Sequence, residues 1–386
     1  MLESLLDGIF NGISIGSVLL LAALGLAIVF GLMGVINMAH GELMMLGAYT
    51  TFVVQNGFKA LGAPWSDFYI FFALIAAFIV TALVGLLLER GVVRYLYGRP
   101  LETLLATWGV SLILQQFIRS VSWQFALGVG LFCLLYFGAM AVVRRRSDFE
   151  RIRSWAMTIL LPLSAAIALS VSSLVGQQFK LAATKPWFGT QGVDVTAPSW
   201  LRTGLPLGNY QLPYTRLFII SLTIICLIGI YWFLNRTVWG LRIRAVTQNR
   251  NMSACLGIPT RTVDALTFAI GSGLAGVAGC AVSLLGSVSS NIGQAYIVDT
   301  FMVVVIGGVG KLVGSIVAAA TIGTISYVVG ANALGPLVTF SPLLKGLFEF
   351  FATASMAKVF VFALIVVFLQ FKPAGLFPQK GRTVDA

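Results

Sequence analysis

The stretch GVINMAHGELMMLGAY, residues 34–49, lies inside an apolar run and yet holds Asn37, His40 and Glu42. His40 is the only histidine of the chain. A carboxylate at the centre of a lipid-embedded helix costs ~2.5–3.5 kcal/mol on insertion scales, so these side chains have to face protein or water. Gly34, Gly41 and Gly47 stand among them and allow close helix packing or a local break in the helix. Three readings follow. His40 and Glu42 bond inside a helix bundle and fix a bend; or they line a route across the membrane, gating it near the inner end of two spans; or they form a metal or catalytic site. One histidine and one glutamate are too few ligands for the third.

The whole chain fits the lipid setting. Of 386 residues, 58% are hydrophobic and only 10% charged, with a mean hydropathy of +0.95. Apolar runs of the ~20 residues that cross a bilayer recur from end to end. Strands of a membrane barrel would alternate apolar and polar positions, and these runs do not. The expected fold is therefore all-α, a polytopic helical membrane protein forming one domain over 1–386. The net charge of +12 fits an excess of Lys and Arg in cytoplasmic loops. With neither a basic tail nor a DNA- or RNA-binding motif, lipid is the expected partner and nucleic acid is not. Cys133, Cys226, Cys255 and Cys280 stand singly, which predicts neither a disulfide framework nor a metal site. The start, MLESLLDGIFNGIS, is acidic, so the first hydrophobic segment is expected to be retained.

Eleven hydrophobic segments are read, near 12–33, 36–56, 68–88, 101–121, 124–143, 155–176, 216–234, 264–285, 297–309, 312–331 and 353–371. The segment at 297–309 is short enough for a re-entrant or interrupted helix. With the N-terminus outside and the C-terminus inside, 17 of the 25 basic residues fall on the inner side and 8 do not. The positive-inside bias favours that orientation. It places the Pro-, Gly- and aromatic-rich stretch 177–215 outside, as a structured cap or a docking surface, and the loop 235–263 inside.

The inner loop reads NRTVWGLRIRAVTQNRNMSACLGIPTRTVDALTF. Thr247 or Asn249 can cap a short helix over 248–257. Met252, Cys255 and Leu256 share one face of it, Gly257 suits its end, and Pro259 prevents continuation. Arg242, Arg244 and Arg250 flank it, and Ala254 lies within it. Such a segment is either a solvated basic loop or a grip for a cytoplasmic partner.

This loop resembles the cytoplasmic coupling loop of ABC-importer permeases. FGLMGVINMAHGELMMLGAY, residues 30–49, and LTFAIGSGLAGVAG, residues 266–279, resemble signatures of the branched-chain amino acid permease family. GQAYIVDTFMVVVIGGVGKLVGS, residues 293–315, and FKPAGLFPQKGR, residues 371–382, are similar to its urea-type branch. The resemblance covers 1–122 and 210–382. Residues 123–180 depart from it, with two extra hydrophobic segments forming an inserted hairpin about the basic turn RRRSDFERIR. It implies a permease of the bacterial inner membrane that forms half of a translocation pathway. It also implies partners: a second homologous permease, two ABC ATPase subunits that bind ATP-Mg, and an extracytoplasmic substrate-binding protein. The chain itself is expected to carry no cofactor and to be no enzyme. GGVGKLVGS, residues 307–315, lacks the spacing of a phosphate-binding loop, and Gly307, Gly308 and Gly310 instead permit a tight inner turn ahead of Lys311.

The cargo that this resemblance implies is urea or a similar small amide. Alternatives are a branched-chain amino acid and a self-sufficient urea or amide channel. A small neutral solute needs hydrogen-bonding groups without strong net charge. Candidates are Asn37, His40, Glu42, Thr107, Ser111, Gln115, Gln116, Asn291 and Gln294, each of which can equally tie helices together. The predicted ATPase-coupling residues are Arg242, Arg244, Asn249, Arg250, Met252, Ala254, Cys255, Leu256 and Gly257. No residue forms a nucleophile–base constellation.

Overall fold

Period-four spacing explains the first face of the fold. In the helix Tyr69–Gly91, the residues Ala73, Ala77, Thr81, Gly85 and Glu89 are buried, while Phe71, Ile75, Ile79, Leu83 and Leu87 are exposed on the opposite side. A helix that turns small residues inward and large apolar ones outward is solvated by lipid rather than water. The computed structural model describes residues 2–62, 65–143, 149–178, 186–188, 192–207, 210–331, 354–373 and 375–377. It contains thirteen α-helices among them. They are α1 Leu2–Met33, α2 His40–Leu61, α3 Tyr69–Gly91, α4 Pro100–Ser120, α5 Trp123–Val143, α6 Phe149–Gln178, α7 Tyr214–Arg236, α8 Val238–Gln248, α9 Arg250–Cys255, α10 Thr260–Ser283, α11 Ile292–Gly307, α12 Leu312–Gly330 and α13 Ala354–Phe371. Eight are long and apolar enough to cross a membrane, and α11 and most of α13 are shorter apolar helices. The chain is thus a polytopic helical membrane protein, and each of the eleven expected hydrophobic segments meets a helix. The segment read at 297–309 is α11, whose 16 residues rise only about 24 Å, less than a hydrocarbon core.

The chain divides into two compact units, one of Met1–Leu112 with Asp194–Ala386 and one of Ile113–Val193. In the first, α1 and α10 are the inner helices, each with 83% of its apolar window buried. Glycines set how close their neighbours come. A side chain at Gly271 would strike the backbone of Gly25 and the side chain of Val29 on α1, and one at Gly276 would strike Ala77 and Thr81 on α3. One at Gly279 would meet Met44 and Ala48 on α2. The stretch LTFAIGSGLAGVAG therefore brings three helices against one backbone, which is how membrane helices associate without a hydrophobic driving force between them. Along α1, Gly12, Gly16 and Gly31 meet Thr324, Ala319 and Gly310 in falling order, so α12 runs antiparallel to it.

Positive φ values at Gly308 and Gly310, +94° and +81°, form the turn between α11 and α12, and few other residues adopt that conformation. Leu376 closes on this turn by donating its N–H to the Ile306 carbonyl at 2.7 Å. At the other end of the helices, residues 194–207 fold over α3. Gln55 Nε2 donates to the Thr196 hydroxyl at 2.8 Å and Tyr69 donates to the Thr196 carbonyl at 2.9 Å. Hydrogen bonds from the Ser199 hydroxyl and N–H hold the Asp67 carboxyl below the usual carboxylate range. A two-stranded antiparallel ribbon follows, β1 Gly204–Leu207 with β2 Tyr210–Pro213, pairing Leu205 with Leu212. Within the stretch 177–215, residues 179–185, 189–191 and 208–209 lie outside the described residues.

The second unit comprises the end of α4 with α5 and α6. The Ser172 hydroxyl, late in α6, donates to the Gln124 carbonyl, early in α5, at 2.9 Å, so the two helices pair antiparallel. Trp187 N–H donates to the Val121 carbonyl at 2.9 Å, and its ring meets Trp123 edge-on at 4.9 Å. None of the apolar window of α5 is buried, and 11% of that of α6 is. Residues 144–148 of the basic turn lie outside the described residues, as does the tail beyond 377.

Candidate functional site

Gly34 ends α1 at a φ of +69°, and the chain does not resume a helix until His40. The sequence reading began this span at 36. The structure shortens it because Asn37 Oδ1 accepts the Ala39 N–H at 3.1 Å, a local bond that competes with helix formation. The six residues 34–39 run back beside α1. His40 Nε2 lies 3.0 Å from the Ala22 carbonyl, and the ring abuts Gly25, so α2 starts about two turns inside the end of α1. The group expected near the inner end of two spans thus sits deeper in the bundle, at a broken helix.

Four elements meet at this break. Glu42, in the first turn of α2, is 1% exposed, and its Oε1 accepts from the Ser111 hydroxyl of α4 at 3.1 Å. One turn earlier on α4, Thr107 Oγ1 accepts the Met38 N–H at 3.1 Å. Gly41 packs on Gly293, in the first turn of α11, and a side chain at Gly293 would also meet Glu42 Oε2. The N-termini of α2 and α11 are therefore side by side. Each presents the positive end of a helix dipole, and Glu42 complements both. His40 donates from Nε2, because a carbonyl can only accept, which leaves Nδ1 as an acceptor in the neutral ring. Neither His40 Nδ1 nor Asn37 Nδ2 has a hydrogen-bond partner among the described residues. The break thus offers a buried acceptor and a buried donor, the kind of orphan pair that a water or a small solute satisfies.

The structure brings Asn37, His40, Glu42, Thr107 and Ser111 together, all 4% exposed or less. It does not gather the rest. Asn291 and Gln294 flank the Gly293 contact with exposed side chains. Gln115 and Gln116 belong to the second unit, the first buried and the second exposed. Among the described residues no group of three His, Cys, Asp or Glu is arranged to hold a metal ion.

The loop 235–263 holds two helices. Thr237 caps α8, accepting the Gly240 N–H at 3.0 Å, and α8 buries Ile243 and Val246. Asn249, not Thr247, caps α9, accepting the Met252 N–H at 2.9 Å; Thr247 donates back into α8 instead. Gly257, at φ +81°, ends α9. Met252, Ala254, Cys255 and Leu256 all point away from the protein, with Met252 at 58% and Leu256 at 75% exposure, and only Ser253 turns inward. Arg250 fastens the helix. It pairs with buried Asp264 at the start of α10, and its guanidinium lies 4.7 Å from the centre of the Tyr97 ring. Burial, with repulsion from Asp264 and Glu89, pushes the Tyr97 phenol above its usual range, so it stays a donor to Glu89 Oε1 at 3.4 Å. Arg242 stacks on Trp239 at 4.9 Å, and Arg244 reaches Asn235.

Sequence reading overlooked one pair. Asp299 and Lys358 are lone charges in the otherwise apolar helices α11 and α13, and they meet at 3.3 Å. A single charge inside an apolar run was the available signal.

Residues 8–369 match the family model described as branched-chain amino acid transport system / permease component. The chain belongs to that family. As a member it is a multi-pass inner-membrane permease component of an ABC transport system, a transport subunit and not an enzyme. Similar curated proteins include the high-affinity branched-chain amino acid transport system permease protein BraD of Pseudomonas aeruginosa, 25% identical over 96% of this chain and 95% of that protein. LivH of Escherichia coli, of the same description, is 23% identical over 96% of this chain and 94% of its own length. The ribose import permease protein RbsC of Bacillus subtilis is 27% identical over 33% of this chain and 41% of its own. No solved structure matches this permease.

Proposed function

We propose that this permease forms half of the translocation pathway of an ATP-driven importer and works by alternating access. It would pair with a second homologous permease, receive cargo from an extracytoplasmic binding protein, and be driven by two subunits that hydrolyse ATP-Mg. One observation carries this reading. The capped helix α9 holds Met252, Cys255 and Leu256 off the body of the protein while Arg250 ties its base to α10. A self-sufficient channel would bury such a face on itself, whereas a groove on a partner would cover it.

For the cargo, the likeness to BraD and LivH, both described as branched-chain amino acid permeases, supports a branched-chain amino acid better than urea. Urea stays as the second reading on one specific observation, the resemblance of residues 293–315 and 371–382 to the urea-type branch. A family whose likeness extends to a ribose permease does not fix the cargo by membership. Reconstitution of the complete transporter, with radiolabelled leucine and radiolabelled urea supplied in turn, separates the readings. ATP-dependent accumulation of leucine supports the first, of urea the second. Uptake of either at the native rate without ATP rejects the importer and leaves the channel.

A further inference from the structure

We infer that the cavity lined by Asp299 and Lys358 is a cargo-binding station for a small, net-neutral solute that offers N–H donors at one end and an oxygen acceptor at the other. The cavity has a volume of about 430 Å³, which is in the range of small-molecule sites. It lies between α1, α11, α12 and α13, at the end of the bundle where Asn11 donates to the Tyr327 hydroxyl at 2.8 Å. The inference rests on the importer reading and assigns residues to it.

The chemistry follows from what the pair leaves over. An ionised carboxylate has about four acceptor positions and an ammonium three donors. The single 3.3 Å contact between Lys358 Nζ and Asp299 Oδ2 uses one of each. Both residues line the cavity, and Lys358 is 51% exposed. Tyr327 spends its acceptor capacity on Asn11 and keeps its O–H to donate. A solute with N–H groups for Asp299 and a carbonyl or carboxylate for Lys358 and Tyr327 satisfies all three together. The pair itself is net neutral, so an anion or a cation entering alone would bring a charge that the pair does not offset. Net-neutral solutes are admitted and ions are not. Urea and a zwitterionic amino acid share this donor–acceptor pattern. Ile15, Leu19, Val361 and Phe362 add an apolar wall that an aliphatic side chain would cover and urea would not. Tyr296 and Asp299 follow Gly293 at steps of three along α11, so the station adjoins the broken start of α2.

The test uses the complete transporter in proteoliposomes, with radiolabelled urea and radiolabelled leucine as probes. Asp299→Asn and Lys358→Gln should each lower uptake of whichever probe the native complex imports by at least about tenfold, because the charged group that would hold one end of the solute is removed. Assembly is followed by size-exclusion chromatography. Uptake within about twofold of native in both assembled variants overturns the site, since the loss expected for a binding charge is far larger. So does full recovery in the exchange variant Asp299→Lys with Lys358→Asp, which would reduce the pair to a structural tie. Should the single variants not assemble, Ser326→Cys in a chain with its four native cysteines changed to alanine decides. Urea or leucine at ten times its dissociation constant should slow thiol labelling there about tenfold. An unchanged labelling rate with both overturns the inference. A native complex that imports neither probe sinks the proposed cargoes instead, and the labelling experiment then reads the cavity by itself.

Discussion

Glu42 is where the polar chemistry of the break is held in place. Its Oε1 takes the Ser111 hydroxyl, and its first-turn position suits the dipole of α2. Replacement by glutamine keeps the shape and removes the charge; replacement by alanine leaves the buried Ser111 hydroxyl without its acceptor, at about 1–3 kcal/mol. We expect Glu42→Gln to assemble with near-native thermal stability and lose most uptake, and Glu42→Ala to lower the melting temperature of the purified complex as well. Full uptake in a stable Glu42→Gln variant would leave this carboxylate with packing alone. At this scale the sequence was informative about which residues had to be shielded from lipid. Asn37, His40 and Glu42 were legible because each is costly there. Their depth was not, because it depends on Gly34 ending α1 and on the 34–39 segment turning back, and both are tertiary outcomes. Asp299 and Lys358 were equally costly and went unpaired in the sequence reading, because 58 residues separate them.

At the scale of elements, the apolar face of α9 invites a direct test. Ala254→Trp adds bulk and Leu256→Asp adds a charge on a surface that is already exposed, so the membrane helices should insert normally. A charge cannot be buried unpaired against a partner without cost. The double variant should therefore be recovered at native yield, fail to co-purify with ATPase subunits, and not transport. Co-purification at the native ratio would show that this helix grips nothing. The hydrophobic segments were readable because lipid imposes length and composition on them. Helix α8 was not, since its buried residues Ile243 and Val246 lie among basic ones and its start is marked only by the Thr237 cap. The role of LTFAIGSGLAGVAG was also hidden. Glycine density in a sequence does not say which backbones will use the space.

At the scale of the molecule, the positive-inside bias predicts which side of the membrane each loop faces. It places α8 and α9 inside and the ribbon Gly204–Pro213 outside. In whole cells, a cysteine at Asn251 should resist a membrane-impermeant thiol reagent until the cells are opened, and a cysteine at Leu205 should react at once. The reverse pattern would invert the whole topology, because both sites lie in the same unit. Fold class was legible at this scale, being fixed by hydrophobicity alone. The hairpin α5–α6 marks the limit: its outward apolar surface follows from lipid exposure, and nothing in its residues names a task.

The glycine contacts around α10 have a mechanical meaning. Where side chains separate two helices, rotamers absorb a small displacement before it is passed on. Where backbone rests on backbone, as Gly271 on Gly25, Gly276 on Ala77 and Gly279 on Met44, there is no such compliant layer. Arg250 attaches α9 to the second turn of α10 through Asp264. A load that the Arg250–Asp264 pair passes from α9 to α10 would meet main-chain contacts from there to the start of α2, with little slack to take up along α10.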